Sequence, residues 1–158
     1  MQIKIRKSIK GDCHDLWVWR NDPRVRKWAF NSSEIKYADH KKWFNKKFKD
    51  PTVKIYIAEN EKKEKLGQVR FEISEGIKAH ININLNPDFF KKGLGNLIIK
   101  AATALFFKEC AGIEEVIAEV IDRNTASIKA FQTAGYLPLN RDGIKIKGIF
   151  VFLKRRCI

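Results

Sequence analysis

The sequence predicts an α/β (α+β) chain built on one mixed sheet with helices on its faces. Three observations lead there. Three strand-like runs, 53–58, 67–73 and 79–86, follow one another with only short polar breaks, as in a meander. A β-branched run at 115–121 lies between two helical stretches, which makes units of the βαβ kind. The chain has 158 residues, enough for a single compact domain over 1–158 and little more.

Each element has its own signal. Ile3 and Ile5 alternate with charged neighbours like a first strand. Residues 12–19 read as a short helix closed by Asn21-Asp22-Pro23. A second helix over 34–48 carries His40, Trp43, Phe44 and Phe48 at helical spacing, with Lys41, Lys42, Lys46, Lys47 and Lys49 on its other face. The meander breaks at the charged stretch 59–65 and again at Ser74-Glu75-Gly76. The clearest helix, 93–108, sets Leu94, Leu97, Ile98, Ala101, Leu105 and Phe106 in one apolar stripe. Asn124 caps the next helix, which turns Ile128 and Phe131 inward and stops at Gly135. A last strand is expected over 144–153 with a break near Gly148. The predicted order is β-α-α-β-β-β-α-β-α-β-β.

Composition narrows the function classes. Hydrophobic residues make up 44%, including 11 Phe and 4 Trp, so the chain can bury a core and disorder is excluded. Lys and Arg number 32 against 18 Asp and Glu, a net charge of +14 that favours capture of anions. Nucleic acid, acidic membrane, CoA and nucleotide-linked sugars all qualify, and a lysine-rich proteome would explain the excess equally well. Cys13, Cys110 and Cys157 are odd in number, with no CxxC and no His at zinc spacing, so reduced thiols and no metal are expected. Residues 1–10 lack the apolar stretch of a signal peptide, and no run approaches the roughly 20 apolar residues that span a bilayer. A cytoplasmic protein without a membrane partner is expected.

The most informative segment runs from Asn82 through Asn86-Pro87-Asp88-Phe89-Phe90-Lys91-Lys92-Gly93-Leu94-Gly95 to Asn96. A strand ends, a loop with two lysines and two glycines follows, and a helix starts at once. Glycines let backbone approach a ligand closely, and the free amides of a helix start suit a phosphate. The spacing fits neither a Walker A loop nor G-x-G-x-x-G, which disfavours ATP and NAD. An ordinary tight turn would account for a lone Gly-x-Gly; the strand-loop-helix setting favours the phosphate.

Here the chain resembles the GNAT superfamily of acyl-CoA-dependent N-acyltransferases. The family loop reads Q/R-x-x-G-x-G/A, and Phe90-Lys91-Lys92-Gly93-Leu94-Gly95 follows it except at the first position. The resemblance implies a single mixed, mostly antiparallel sheet with helices on both faces, and acetyl-CoA as co-substrate. It also implies pyrophosphate held by the amides of Lys92 to Asn96, beside Lys91. The strand before the loop would be splayed from its neighbour, so that backbone around Ile83 and Leu85 pairs with pantetheine. A second signature lies at Glu119 to Phe131, where Asn124 opens a helix and would bond the CoA arm, with Ser127 as a weaker contact. Many relatives carry Tyr at the position of Phe131, as the acid for the leaving thiolate; Phe cannot donate, and Tyr136 is a weak substitute, packing being the favoured reading for it. Glu119, five residues before Asn124, has the spacing of the base in ribosomal-protein N-terminal acetyltransferases, and a plain polar strand residue is the other reading. His80 is the second candidate base, on a strand face shared with Asn82, Asn84 and Asn86.

Trp19-Arg20-Asn21, then His40 and Trp43-Phe44, then Gly67-Gln68-Val69-Arg70-Phe71 resemble one subgroup, which acetylates amino sugars on nucleotide carriers towards pseudaminic and legionaminic acids. By that resemblance the acceptor is a small molecule, the 4-amino group of a UDP-linked amino-deoxy sugar. Arg20 and Arg70 would bind phosphate, and Trp19 or Trp43 would stack a base or sugar face. Packing would explain the tryptophans and His40 as readily, and Arg20 could cap its own helix. Two rivals stay open: a protein or ribosomal-protein N-terminal amine as acceptor, and a non-enzymatic basic module for nucleic acid, which lacks any RRM, KH or zinc-finger signature. Polyamines are disfavoured by the +14 charge. A monomer or a homodimer is expected.

Overall fold

The structure, a computed structural model, describes residues 1–139 and 148–157. In chain order the elements are β1 (Lys4–Lys7), α1 (Cys13–Asn21), α2 (Pro23–Arg26), α3 (Tyr37–Lys49), β2 (Val53–Glu59), β3 (Lys65–Ser74), β4 (Lys78–Leu85), α4 (Leu94–Glu109), β5 (Glu115–Ile121), α5 (Thr125–Thr133), β6 (Leu137–Pro138) and β7 (Ile149–Arg155). They form one sheet in the order β1-β2-β3-β4-β5-β7-β6. Every neighbouring pair is antiparallel except β4 and β5, which run parallel.

Strand alternation sorts side chains to the two faces of this sheet. Tyr56, Val69, Phe71, Ile81, Val116 and Ala118 go to one side, where α4 lays Ile98, Ala102 and Phe106 on them. Phe71 and Phe106 stack there with ring centroids 4.2 Å apart. Val53, Ile55 and Ile57 go to the other side, under Leu16 and Trp19 of α1 and Phe44 of α3. Each of the larger aliphatic and Phe side chains among these contributes about 1.5–3 kcal/mol of transfer free energy. The expected mixed, mostly antiparallel sheet with helices on both faces is the one found.

Three boundaries differ from the expectations, each for a local reason. The second long helix starts at Tyr37, three residues late. Asn21 holds both backbone groups of Ile35, accepting from its N–H at 2.9 Å and donating to its carbonyl at 2.7 Å, so the chain stays extended through Lys36. Pro23 does not only end α1; it opens α2 at a helix start capped by Asp22, whose carboxylate accepts from the Arg24 amide at 2.8 Å. The strand predicted at 144–153 is β7, which begins at Ile149; residues 144–147 lie outside the described residues. The two-residue β6 pairs with it and was too short to carry a sequence signal.

A buried ionic cluster pins the first strand to the rest. Asp12 has no exposed surface. It accepts two bonds from the Arg6 guanidinium at 2.8 and 3.0 Å, one from the Ile9 amide at 2.8 Å, and lies 2.9 Å from Lys65 Nζ. Arg6 also reaches Glu59 at 2.6 Å. Burial pushes the Asp12 carboxyl up, but Arg6, the Ile9 amide and Lys65 outweigh it and hold the group at about 2. Because this value lies below that of an unfolded Asp, about 3.9, the group stabilises the fold fully above that pH. Its contribution fades as the pH falls towards 2. Asp12→Asn is expected to cost roughly 3–5 kcal/mol at pH 7, read by urea denaturation. The gap between variant and parent should narrow between about pH 4 and pH 2; a constant gap would show that Asp12 is not the titrating group.

Candidate active site

β4 and β5 pair only from Lys78 with Glu115 to Ile81 with Ala118. Both strands continue, to Leu85 and Ile121, without pairing to each other. The sheet therefore splits, and backbone groups that a fifth and later rungs would have used are left for another partner. A cleft of about 1280 Å³ opens there, lined by Ile81 to Leu85 on one side and Glu119 to Ile121 on the other.

At the end of β4 the chain turns back on itself. Asn86 accepts from the Asp88 amide at 3.1 Å and donates to the Lys65 carbonyl at 2.9 Å, which ties the turn to β3. Lys91 and Gly93 then take left-handed backbone, φ 61° and 67°, and α4 begins. Lys91, Lys92, Gly93, Leu94, Gly95 and Asn96 all line the cleft. The first amides of α4 have no acceptor within the helix, and they sit at its positive end. Gly93 has open space where a Cβ would be, so its backbone angle is its requirement. Gly95 serves a different need from the one the sequence suggested: a Cβ there would stand 3.3 Å from the Cβ of Ala130, so it lets α4 and α5 approach.

The second signature joins the same cleft. Asn124 accepts from the Ser127 amide at 3.1 Å as the α5 cap, which leaves its side-chain N–H groups for a ligand. Asn124, Ser127 and Phe131 line the cleft with Lys129. Phe131, 3% exposed, packs edge-on against Tyr136. Tyr136 is not a cleft residue. Burial drives its phenol well above the usual range, and the hydroxyl is 2.8 Å from the Thr103 hydroxyl, inside the core. The expected substitute acid is therefore withdrawn.

Of the two candidate bases, Glu119 is exposed and lines the cleft. The residues flanking it, Ala118 and Val120, are in the α4-side core, so Glu119 faces the other side, as do Asn82 and Asn84. His80 is exposed but stands where β4 is still paired to β5, opposite Ile117, and it does not line the cleft. It is too far back along the strand to serve.

The part of the cleft beneath α1 to α3 is cationic and aromatic. Arg20 donates to the Asn31 carbonyl at 2.5 Å, while its Nη1 is buried without a partner among the described residues. Arg70 bonds Glu72 at 2.7 Å and stands 4.9 Å from the ring centre of Trp43. His40 lines the same region but is 4% exposed. Its Nε2 donates to the Cys13 carbonyl at 3.0 Å, and burial lowers its pKa, so it is a neutral, packed ring. Trp19 and Asn21 are corrections. Trp19 is packed in the α1–α3 core and faces a smaller hollow of about 430 Å³ beside Asp15 and Lys65, and it does not line the cleft. Asn21 is occupied with Ile35 and does not line the cleft.

Sequence reasoning missed Trp28 and Phe30, which line this half, and Arg24. The Arg24 guanidinium stands 5.7 Å from the ring centre of Phe90. Phe90 is the loop position that departs from the family pattern, so α2 brings a cation back to it. Nothing local in the sequence marks these residues, because the chain between α2 and α3 has no periodicity. Among the described residues no group of His, Cys, Asp and Glu could hold a metal, and no helix is long and apolar enough to cross a membrane.

Comparison with known proteins agrees with this geometry. The family described as "Acetyltransferase (GNAT) domain" matches residues 2–137. No curated protein matches the sequence. Among solved structures, a spermidine N-acetyltransferase from Vibrio cholerae with CoA and spermine superposes with a TM-score of 0.83 at 17% identity, covering 98% of this chain and 95% of that one. An aminoglycoside acetyltransferase with coenzyme A and kanamycin gives 0.81 at 18%, covering 98% and 95%. A domain from Methanocaldococcus jannaschii gives 0.81 at 19%, covering 98% and 99%. At these identities the likeness establishes the fold.

Gly67 is where the split is most easily disturbed. A Cβ there would lie 2.8 Å from the Asn84 carbonyl oxygen and 3.0 Å from the Leu85 Cα, both backbone atoms that cannot swing aside. Gly67→Ala is expected to destabilise by roughly 1–3 kcal/mol, seen as a lower Tm in thermal denaturation. An unchanged Tm would mean that β3 and β4 separate there at no cost.

Proposed function

Because the chain belongs to the GNAT acetyltransferase family, and is thus an acetyl-CoA-dependent N-acetyltransferase, we propose that its acceptor is an amine on an anionic small molecule, the 4-amino group of a UDP-linked amino-deoxy sugar. One observation carries this reading. Among the described residues lining the cleft, seven are Lys or Arg (Arg20, Arg24, Lys27, Arg70, Lys91, Lys92, Lys129) and two are acids (Asp39 and Glu119). A diphosphate finds guanidinium groups in the acceptor half, and Arg20 has a buried N–H without a partner among the described residues. Trp28, Phe30 and Trp43 offer faces for a base or a sugar. Two of the similar structures hold spermine and kanamycin, polycations that would need carboxylates here. This cleft has few to give.

In the proposed reaction, the CoA pyrophosphate lies on the α4 amides with Lys91, Lys92 and Arg24 beside it. The pantetheine pairs with the β4 backbone freed by the split, with Asn124 on its arm. The neutral amine attacks the thioester carbonyl carbon, Glu119 takes the amine proton directly or through water, and the C–S bond breaks to release CoA thiolate. A thiol of pKa about 8.5 leaves without full protonation, which suits Phe131 and the inward-turned Tyr136.

The test is calorimetry with acetyl-CoA followed by assay of CoA thiol release. Acetyl-CoA binding with thiol released on addition of the UDP-linked 4-amino sugar supports the reading. Release with a peptide N-terminal amine or spermidine alone would overturn the acceptor assignment. Glu119→Gln should lower kcat about 100-fold with acetyl-CoA affinity unchanged; an unchanged kcat would remove Glu119 as the base.

A further inference from the structure

Gln68 lies on β3 in the floor of the cleft, 2% exposed and opposite Asn84 in the strand register. Its neighbours Val69 and Phe71 belong to the α4-side core, so Gln68, like Arg70, faces the acceptor half. The Gln68 Nε2 donates to Asn82 Oδ1 at 3.2 Å. Its Oε1 is buried and has no partner among the described residues.

A buried acceptor left in that state costs on the order of 1–3 kcal/mol. In the same half of the cleft Arg70 is paired with Glu72 and His40 with the Cys13 carbonyl, while the buried Arg20 Nη1 also lacks a partner among the described residues. Packing alone would be served better by Met or Leu at this position. Asn82, the residue Gln68 holds, is the first on β4 beyond the last rung to β5. Glu119 faces the same side of the sheet from the other lip of the split. The Gln68–Asn82 pair therefore runs from the acceptor half to the place where amine and thioester meet.

We propose that Gln68 is a specificity-determining residue for the acceptor, its Oε1 accepting a hydrogen bond from an N–H or O–H adjoining the reacting amine. The proposal rests on the reading of the cleft as an amine-acetylating site. The arginines hold the anionic end of the acceptor, and Gln68 reads the part between that end and the amine. An acceptor with a donor there satisfies Oε1 and is seated at the split. One without it leaves the oxygen unpaired and is discriminated against.

The test compares the parent protein with Gln68→Met, of similar size but without the acceptor atom, and Gln68→Glu, which retains one. CoA thiol release is measured with four acceptors: a UDP-linked 4-amino sugar, spermidine, kanamycin and a peptide N-terminal amine. Gln68→Met is expected to raise the KM of the accepted amine about 10-fold or more, with kcat changed far less. Its acetyl-CoA affinity should be unchanged and its Tm no lower, and Gln68→Glu should recover part of the KM. An unchanged acceptor KM overturns the proposal. So does a lowered Tm with weakened acetyl-CoA binding, which would make Gln68 a structural residue. If the parent takes another of the amines but not the sugar, the nucleotide-sugar reading fails and Gln68 is judged on the amine accepted. No turnover with any of the four would sink both.

Discussion

The parallel pairing of β4 with β5 lasts four rungs, from Lys78 to Ile81, and then stops. The site depends on that stop. Two parallel strands end on the same edge of a sheet, so the helices that follow them also begin there. Here α4 follows β4 and α5 follows β5, and both helix starts face the gap between the strands. The free amides of α4, the capping Asn124 of α5 and the unpaired strand backbone thus converge without any long-range loop. Topology supplies the convergence; the residues supply the chemistry.

What keeps the gap from closing is the pairing outside it. β3 pairs with β4 along its whole length, as far as Leu85. β7 pairs with β5 as far as Ile121. Each lip of the split is held by its outer neighbour, so neither can lean across to the other without breaking a full ladder. Gly67 allows β3 to lie close against β4 at the widest part. The Asp12 cluster then fixes β1, the start of α1 and the edge of β3 to one another, which sets the helices above the acceptor half.

Much of this was readable in the chain. β5 was expected over 115–121 and occupies those residues, because a β-branched run on a central strand has no competing period. The loop from Asn86 to Asn96 and the Asn124 cap were legible because they are local: each function needs a few residues in a row. Residues whose role depends on distant partners were not. Trp19 and Tyr136 look the same in sequence whether they face a cleft or a core, and the fold turned both inward. His80 and Glu119 are each a polar residue on a strand, and only the point where pairing ends separates them. Gln68 stood in a recognised motif, but that its amide oxygen lacks a partner among the described residues is a property of its surroundings. The late start of α3 has a similar cause, since Asn21 acts across fourteen positions on Ile35.

The exchange of Phe131 and Tyr136 bears on how the leaving group departs. The two rings touch edge to face, and the one hydroxyl between them is held by Thr103 inside the core. A donor at Phe131 is therefore absent, and the nearest phenol cannot turn out without abandoning a buried bond. In the reaction proposed above, the thiolate leaves as a stabilised anion. A cleft lined, among the described residues, by seven cationic side chains and two carboxylates favours negative charge. The same surplus that draws in the CoA phosphates thus lowers the need for a general acid. The acceptor proposed above fits the same field, which would repel an amine carrying several positive charges. Donor binding, the proposed departure of the thiolate and the proposed acceptor thus all draw on one sign of charge.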